Sequence, residues 1–224
     1  MENKDIIPSL SIDCVIFGFE ESKLKVLLIR RLQEPDKGRW ALPGGFVLEK
    51  EDLDQSAHRI LDELTGVSDL FMEQVYTFGD VDRYPPRRVI TIVYYALIKP
   101  AAYHLKSEAD AKWFDIDKIP DLPYDHIKIF KTAFEKLKKT VRYEPVGFEL
   151  LPEKFSLTEL QQLYEAILET SLDKRNFRKK LLKMDLLLSL DETQKNVAHR
   201  AARLYKFDPN IYASLKKEGF NFKL

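Results

Sequence analysis

The stretch "GGFVLEKEDLDQSAHRILDELTGV", residues 44–67, constrains the fold more than any other part of this chain. Two adjacent glycines allow a close backbone approach that a side chain would block. Leu53, Ala57, Ile60, Leu61 and Leu64 then recur at helical spacing, which predicts an amphipathic helix with one apolar stripe. Gly66 closes that helix. An apolar stripe needs a layer to pack on, and the flanking sequence supplies one. "SIDCVIFGFE" and "KLKVLLIRRL" read as strands joined through "ESK". "RVITIVYYALI" and "AKWFDIDKIP" read as two more, and "DHIKIFKTAFEKLKKTV" as a helix carrying Ile127, Phe130, Ala133, Phe134 and Leu137. Strands interleaved with helices in this way predict a layered α/β or α+β domain.

The pattern breaks at "YEPVGFELLPEKF", where prolines and a glycine interrupt the periodicity. A domain boundary is therefore expected there, separating residues 1–143 from 148–224. In the second part Ser156 and Glu159 form a capping box ahead of Leu160, Leu163, Tyr164 and Ile167. Another helix starts at Asp173, and "RAARLYKF" reads as a strand, so two helices followed by a β-hairpin are expected.

Composition excludes some classes. With 45% hydrophobic and 32% charged residues, the chain of 224 residues can bury a real core. Its 36 basic residues balance 36 acidic ones, so total charge identifies no partner. Cys14 is the single cysteine and lies in an apolar run, which predicts a buried structural thiol in a reducing compartment. Neither a signal peptide nor an apolar run of ~18–20 residues is visible, so no membrane span and a cytoplasmic location are expected. Charge is nonetheless clustered. Residues 171–206 hold ten basic side chains against four acidic ones, a local excess of +6, as expected of a phosphate-backbone binder.

"WALPGG" and the residues after it resemble the Nudix box. Glu51, Arg59, Glu63 and Gly66 fall on its template positions, while Ile60 and Leu64 stand where two glutamates belong. In that family the glutamates hold Mg²⁺ or Mn²⁺ against a diphosphate. A hard cation requires several oxygen ligands, and Glu51 with Glu63 alone makes a poor cage. Catalytic residues, a bound metal and a cofactor are therefore not expected. The glycine loop still suits a ligand pocket: Gly44 and Gly45 admit close approach, and Trp40 or Phe46 could stack on a flat molecule or a sugar face. Asp125 and His126 add a carboxylate and an imidazole, with a helix N-cap as the alternative role for Asp125. Arg83, Arg87 and Arg88 in "RYPPRRV" read as a solvated loop, or as cations for an anionic effector or a subunit interface.

On the helix after Asp173, Phe177, Leu181 and Met184 form a core face, leaving Arg175, Asn176, Arg178 and Lys179 pointing away. Arg reads guanine, Asn reads adenine and Lys anchors phosphates. Lys174, Arg175, Asn176, Arg178 and Lys179 are thus candidate DNA contacts from a recognition helix, with Arg200 and Arg203 on a following wing. The order of these segments is similar to the Nudix-related transcriptional regulators over nearly the whole chain. The resemblance implies an α+β protein: a Nudix-like mixed-sheet α/β/α sandwich that senses an effector, then a winged helix-turn-helix domain. It also implies a homodimer on palindromic double-stranded operator DNA, acting as a repressor. Over its length the chain looks closest to the L-arabinose-responsive branch, which makes a sugar the expected effector. An ADP-ribose-sensing regulator of NAD metabolism and an active Nudix hydrolase of ADP-ribose-like substrates are the alternatives. "HRAA" replaces the Gly-Arg-Pro-Ala wing turn of some members.

Overall fold

The computed structural model describes residues 5–68, 70–106, 110–194, 201–218 and 222. They form two compact units, the first made of the residues up to Glu20 with Leu24–Lys136, the second of Glu21–Lys23 with the residues from Leu137 onward. No helix among the described residues is long and apolar enough to cross a membrane.

The first unit is built on a mixed sheet of seven strands. Strand β1 (Ile6–Glu20) is central and almost wholly buried from Ile12 to Phe17. It lies parallel to β6 (Ile90–Ile98), with Leu10 opposite Ile90 and Gly18 opposite Ile98. Both strands read as continuous apolar runs because helices cover both faces of the sheet. β2 (Lys23–Arg30) flanks β1 and carries β3 (Trp40–Ala41) and β7 (Ala111–Asp115), both antiparallel to it. β4 (Gly44–Leu48) pairs with the first part of β1. Sequence reasoning overlooked β5 (Glu73–Phe78), an edge strand whose alternation a register shift interrupts between Gln74 and Tyr76.

Helix α1 (Leu53–Thr65) follows the glycine loop as expected. Asp52 and Gln55 form its capping box, and Gly66 ends it at φ 80. Ala57, Ile60 and Leu61 are buried against one sheet face with Ile12, Cys14, Ile16 and Val47, and Leu53 and Leu64 pack at the edge. Burial raises the Cys14 thiol pKa far above its ordinary value, so it behaves as an apolar residue. The opposite face meets helix α2 (His126–Tyr143), where Phe130 and Phe134 lie 6.0 Å from Phe17. Ile127 departs from expectation: it is 39% exposed, and Ile129 takes the core place because 129, 133 and 137 form the buried row.

The second unit contains a three-stranded sheet in the order β8 (Phe155–Ser156), β10 (Arg203–Phe207), β9 (Leu187–Thr193). Helix α3 (Leu157–Leu168) begins at the Ser156–Glu159 capping box, and α4 (Lys174–Lys183) is capped by Asp173. Leu160, Leu163, Tyr164, Ile167, Phe177 and Leu181 make the helical core, and Phe148 stacks on Phe207 at 4.4 Å. β9 and β10 are the antiparallel hairpin read from the sequence. A terminal helix, α5 (Pro209–Lys217), is an addition to that reading.

Candidate functional site

The loop before α1 is held by residues that survive from the sequence template. Arg59 Nε donates to both oxygens of Glu51, at 2.7 and 2.9 Å. Its Nη1 reaches Glu63 at 3.3 Å, and its Nη2 donates to the Phe46 carbonyl at 3.1 Å. Ser56 Oγ also donates to Glu51, at 2.8 Å. One guanidinium thus pins the helix to strand β4. Gly45 packs over Ile60, where an added Cβ would stand 3.2 Å from Cγ1. Gly44 is tighter, because a Cβ there would lie 2.3 Å from Asp13 Oδ1 and 2.9 Å from the Ile12 carbonyl.

Above these glycines opens a cavity of about 170 Å³, continuous in lining with a second of about 610 Å³. Ile29, Arg31, Gln33, Gly44, Gly45 and Phe46 belong to both. The smaller one has a polar floor. Arg83 is 8% exposed and grips Asp125 through Nε (2.9 Å) and Nη2 (2.8 Å). Nη2 also lies 3.4 Å from Asp13 Oδ2, which accepts from Thr91 Oγ1 at 2.8 Å. The Leu42 N–H donates to His126 Nδ1 at 3.1 Å, which places the ring proton on Nε2. Burial holds the His126 pKa below its ordinary value, so the ring is neutral. The mouth is aromatic. Tyr84 and Tyr124 meet edge to face at 5.1 Å, Arg31 lies over Tyr124, and Arg87 lies over Phe46 at 4.5 Å. Tyr124 holds a left-handed φ of 55, an uncommon strain for a bulky residue, and burial pushes its phenol pKa up to about 12.

Of the ligand residues expected from sequence, Gly44, Gly45, Phe46 and His126 line the cavity. Trp40 does not: its ring packs on Phe114 at 4.9 Å beneath the Arg30 guanidinium, because β3 pairs with β2 away from the opening. Asp125 stands behind the lining, where its carboxylate is occupied by Arg83 rather than by a helix N-terminus. Asp13, Arg31, Tyr84 and Tyr124 were missed. Asp13 alone left a signal, as an acid inside the apolar run "SIDCVIFGFE". Arg83 was read as part of a solvated loop, or as a cation for an anionic effector or a subunit interface, whereas the carboxylates of Asp13 and Asp125 draw it inward.

On α4, Lys174, Arg175, Asn176 and Lys179 are exposed, as a groove-reading surface requires. Arg178 departs from expectation. Its Nη2 donates to Thr158 Oγ1 at 3.0 Å, folding the side chain toward α3. Position 178 lies three residues before Leu181 and so borders the core stripe rather than opposing it. Arg203 is exposed on β10, within 3.3 Å of Ser189 Oγ, and joins Lys174 and Arg178 around a cleft of about 740 Å³. Arg200 lies outside the described residues.

Comparison with known proteins bears on both units. Residues 8–133 match the NUDIX domain family, and residues 147–207 match the NrtR DNA-binding winged helix domain. An ADPR responsive transcriptional repressor of Acinetobacter baylyi is 35% identical over 221 residues, covering 96% of this chain and 86% of that protein. An ADP-ribose pyrophosphatase of Methanocaldococcus jannaschii is 35% identical over 127 residues, 55% of this chain and 72% of that one. Among solved structures, Shewanella oneidensis NrtR complexed with a 27mer DNA superposes with a TM-score of 0.80 at 32% identity, covering 95% of this chain and 97% of that one. The NUDIX domain of the same protein complexed with ADP ribose gives a TM-score of 0.53 at 35% identity, over 57% of this chain and 87% of that one.

Proposed function

The chain belongs to the family of Nudix-domain transcriptional regulators carrying an NrtR-type DNA-binding winged helix, and from that membership we propose that it is an ADP-ribose-responsive repressor. The reading rests on one observation: likeness runs through both units at once to a repressor that responds to ADPR. The domain division would be 1–143 for effector binding and 148–224 for operator binding. Lys174, Arg175, Asn176, Lys179, Arg203 and Arg200 would contact DNA, and a homodimer would match a palindrome through its two-fold symmetry. A protein working on chromosomal DNA would act in the cytoplasm.

ADP-ribose replaces L-arabinose as the preferred effector. The sugar reading finds no support among these relatives, whereas ADPR is named for the repressor and ADP ribose for the structural neighbour. Chemistry agrees. Two adjoining cavities bring Tyr84, Tyr124 and Phe46 beside Arg31, Arg59 and Lys106, which suits aromatic bases and phosphates in one ligand better than a lone pentose.

We infer binding without hydrolysis. A Nudix site holds a divalent cation on a cluster of glutamates, and the residues present here do not fit one. Glu51 is occupied by Arg59 and Ser56, Glu63 by Arg59, and Ile60 is 2% exposed beneath Gly45. Among the described residues no group of three or more His, Cys, Asp or Glu side chains is arranged to hold a metal ion. Likeness to a pyrophosphatase supports hydrolysis as the second reading. Selecting a duplex from random DNA with the full chain, then adding ADP-ribose or L-arabinose, tests the proposal. ADP-ribose should release the duplex, L-arabinose should not, and ADP-ribose should survive incubation with Mg²⁺ or Mn²⁺. Release of AMP would move the chain to the hydrolases; no selected duplex would end the repressor reading.

A further inference from the structure

The floor of the smaller cavity carries an inference that rests on the ADP-ribose reading and refines it. Asp13 is 6% exposed on β1, and Thr91 and Arg83 hold its Oδ2 at 2.8 and 3.4 Å. With Arg83 itself clamped by Asp125, the rotation of the Asp13 carboxylate is set. Oδ1 is placed differently. His126 Nε2 stands 3.8 Å from it, beyond hydrogen-bond range. Gly44 lines the same cavity, and any side chain there would put a carbon 2.3 Å from Oδ1, so the glycine leaves this acceptor room. His126 Nδ1 is taken by the Leu42 N–H, which makes Nε2 a donor.

An N–H donor and a carboxylate acceptor 3.8 Å apart on a cavity wall match a particular kind of group. A hydroxyl accepts from the first and donates to the second; an ionised phosphate oxygen only accepts and would be repelled by Oδ1. Two carboxylates around one guanidinium reinforce that selection. We propose that Asp13 Oδ1 and His126 Nε2 together read a ribose hydroxyl of the effector, with phosphates directed to the adjoining cavity. Either ribose of ADP-ribose presents hydroxyls of this chemistry.

Titration calorimetry on the full chain, with ADP-ribose and analogues lacking one hydroxyl on either ribose, identifies the group. One analogue should bind about 10- to 100-fold more weakly, the range expected for a hydrogen bond to a charged group. Asp13→Asn should weaken ADP-ribose binding by a similar factor, and the deficient analogue should lose nothing further in that variant. Equal binding of every analogue by the unaltered chain overturns the inference without relying on a variant that must fold. A full analogue penalty persisting in cooperatively folded Asp13→Asn overturns it as well. In both cases ADP-ribose still binds and the effector reading stands. Failure of the unaltered chain to bind ADP-ribose would instead defeat that reading, and this inference with it.

Discussion

Gly44 and Ile60 show how single residues shape the cavity. At Gly44 the constraint is space: a methyl group would press on the Ile12 backbone carbonyl and on Asp13 Oδ1, whose carboxylate Thr91 and Arg83 hold through Oδ2. Gly44→Ala should cost roughly 1–3 kcal/mol of stability, measured by urea unfolding. At Ile60 the constraint is polarity, since a glutamate would place a charge in the apolar cluster with Ile12, Val47 and Leu61. Ile60→Glu should lower the melting temperature sharply and restore no hydrolysis, whereas Leu64→Glu, at the edge of that cluster, should fold. His126 supplies a pH signature. Its folded pKa lies below the ordinary value, so the unfolded chain binds the proton more readily in acid. Stability from this group is complete above an unfolded pKa of about 6.5 and is lost as pH falls toward the folded value. Urea midpoints should therefore decline on acidification below that point, and the decline should be shallower in His126→Gln.

At the scale of elements, α4 divides its basic residues between two tasks. Arg175 and Lys179 project freely, while Arg178 turns to Thr158. Arg175→Ala should weaken binding to the selected duplex by roughly 1–3 kcal/mol with unfolding unchanged, and Lys179→Ala should instead reduce the salt dependence by about one counterion. Arg178→Ala should also lower stability, because the guanidinium spans α3 and α4; a change in affinity alone, with unfolding unaltered, would contradict the contact. Ser156 governs the start of α3 through its reciprocal bonds with Glu159, and Ser156→Ala should cost about 1 kcal/mol. These caps, like Gly66 after α1, were legible beforehand because capping is local chemistry within four residues. β5 was not legible, since an edge strand with mixed polarity resembles a loop until β6 pairs with it.

For the whole molecule the proposed switch is a coupling of two sites in one chain. A ligand that favours one arrangement by ~1–3 kcal/mol changes operator occupancy between several-fold and about a hundredfold, and by reciprocity operator DNA must weaken ADP-ribose by the same factor. Measuring both affinities, each in the absence and presence of the other ligand, checks this; affinities that do not change in either direction would exclude the coupling.

What the sequence determined by itself is whatever depends on near neighbours or on periodicity. The glycine loop, the stripe on α1, the capped helices and the hairpin of the second unit all follow from spacing. Tertiary structure decided which side chains meet. Asp13, Arg83 and the Asp125–His126 pair come from three separate stretches, and only strand pairing and the packing of α2 bring them within reach. Trp40 fell away from the cavity for the same reason, as pairing with β2 directs it toward Phe114. Buried charges settle where partners satisfy them, and those partners lie tens of residues away along the chain.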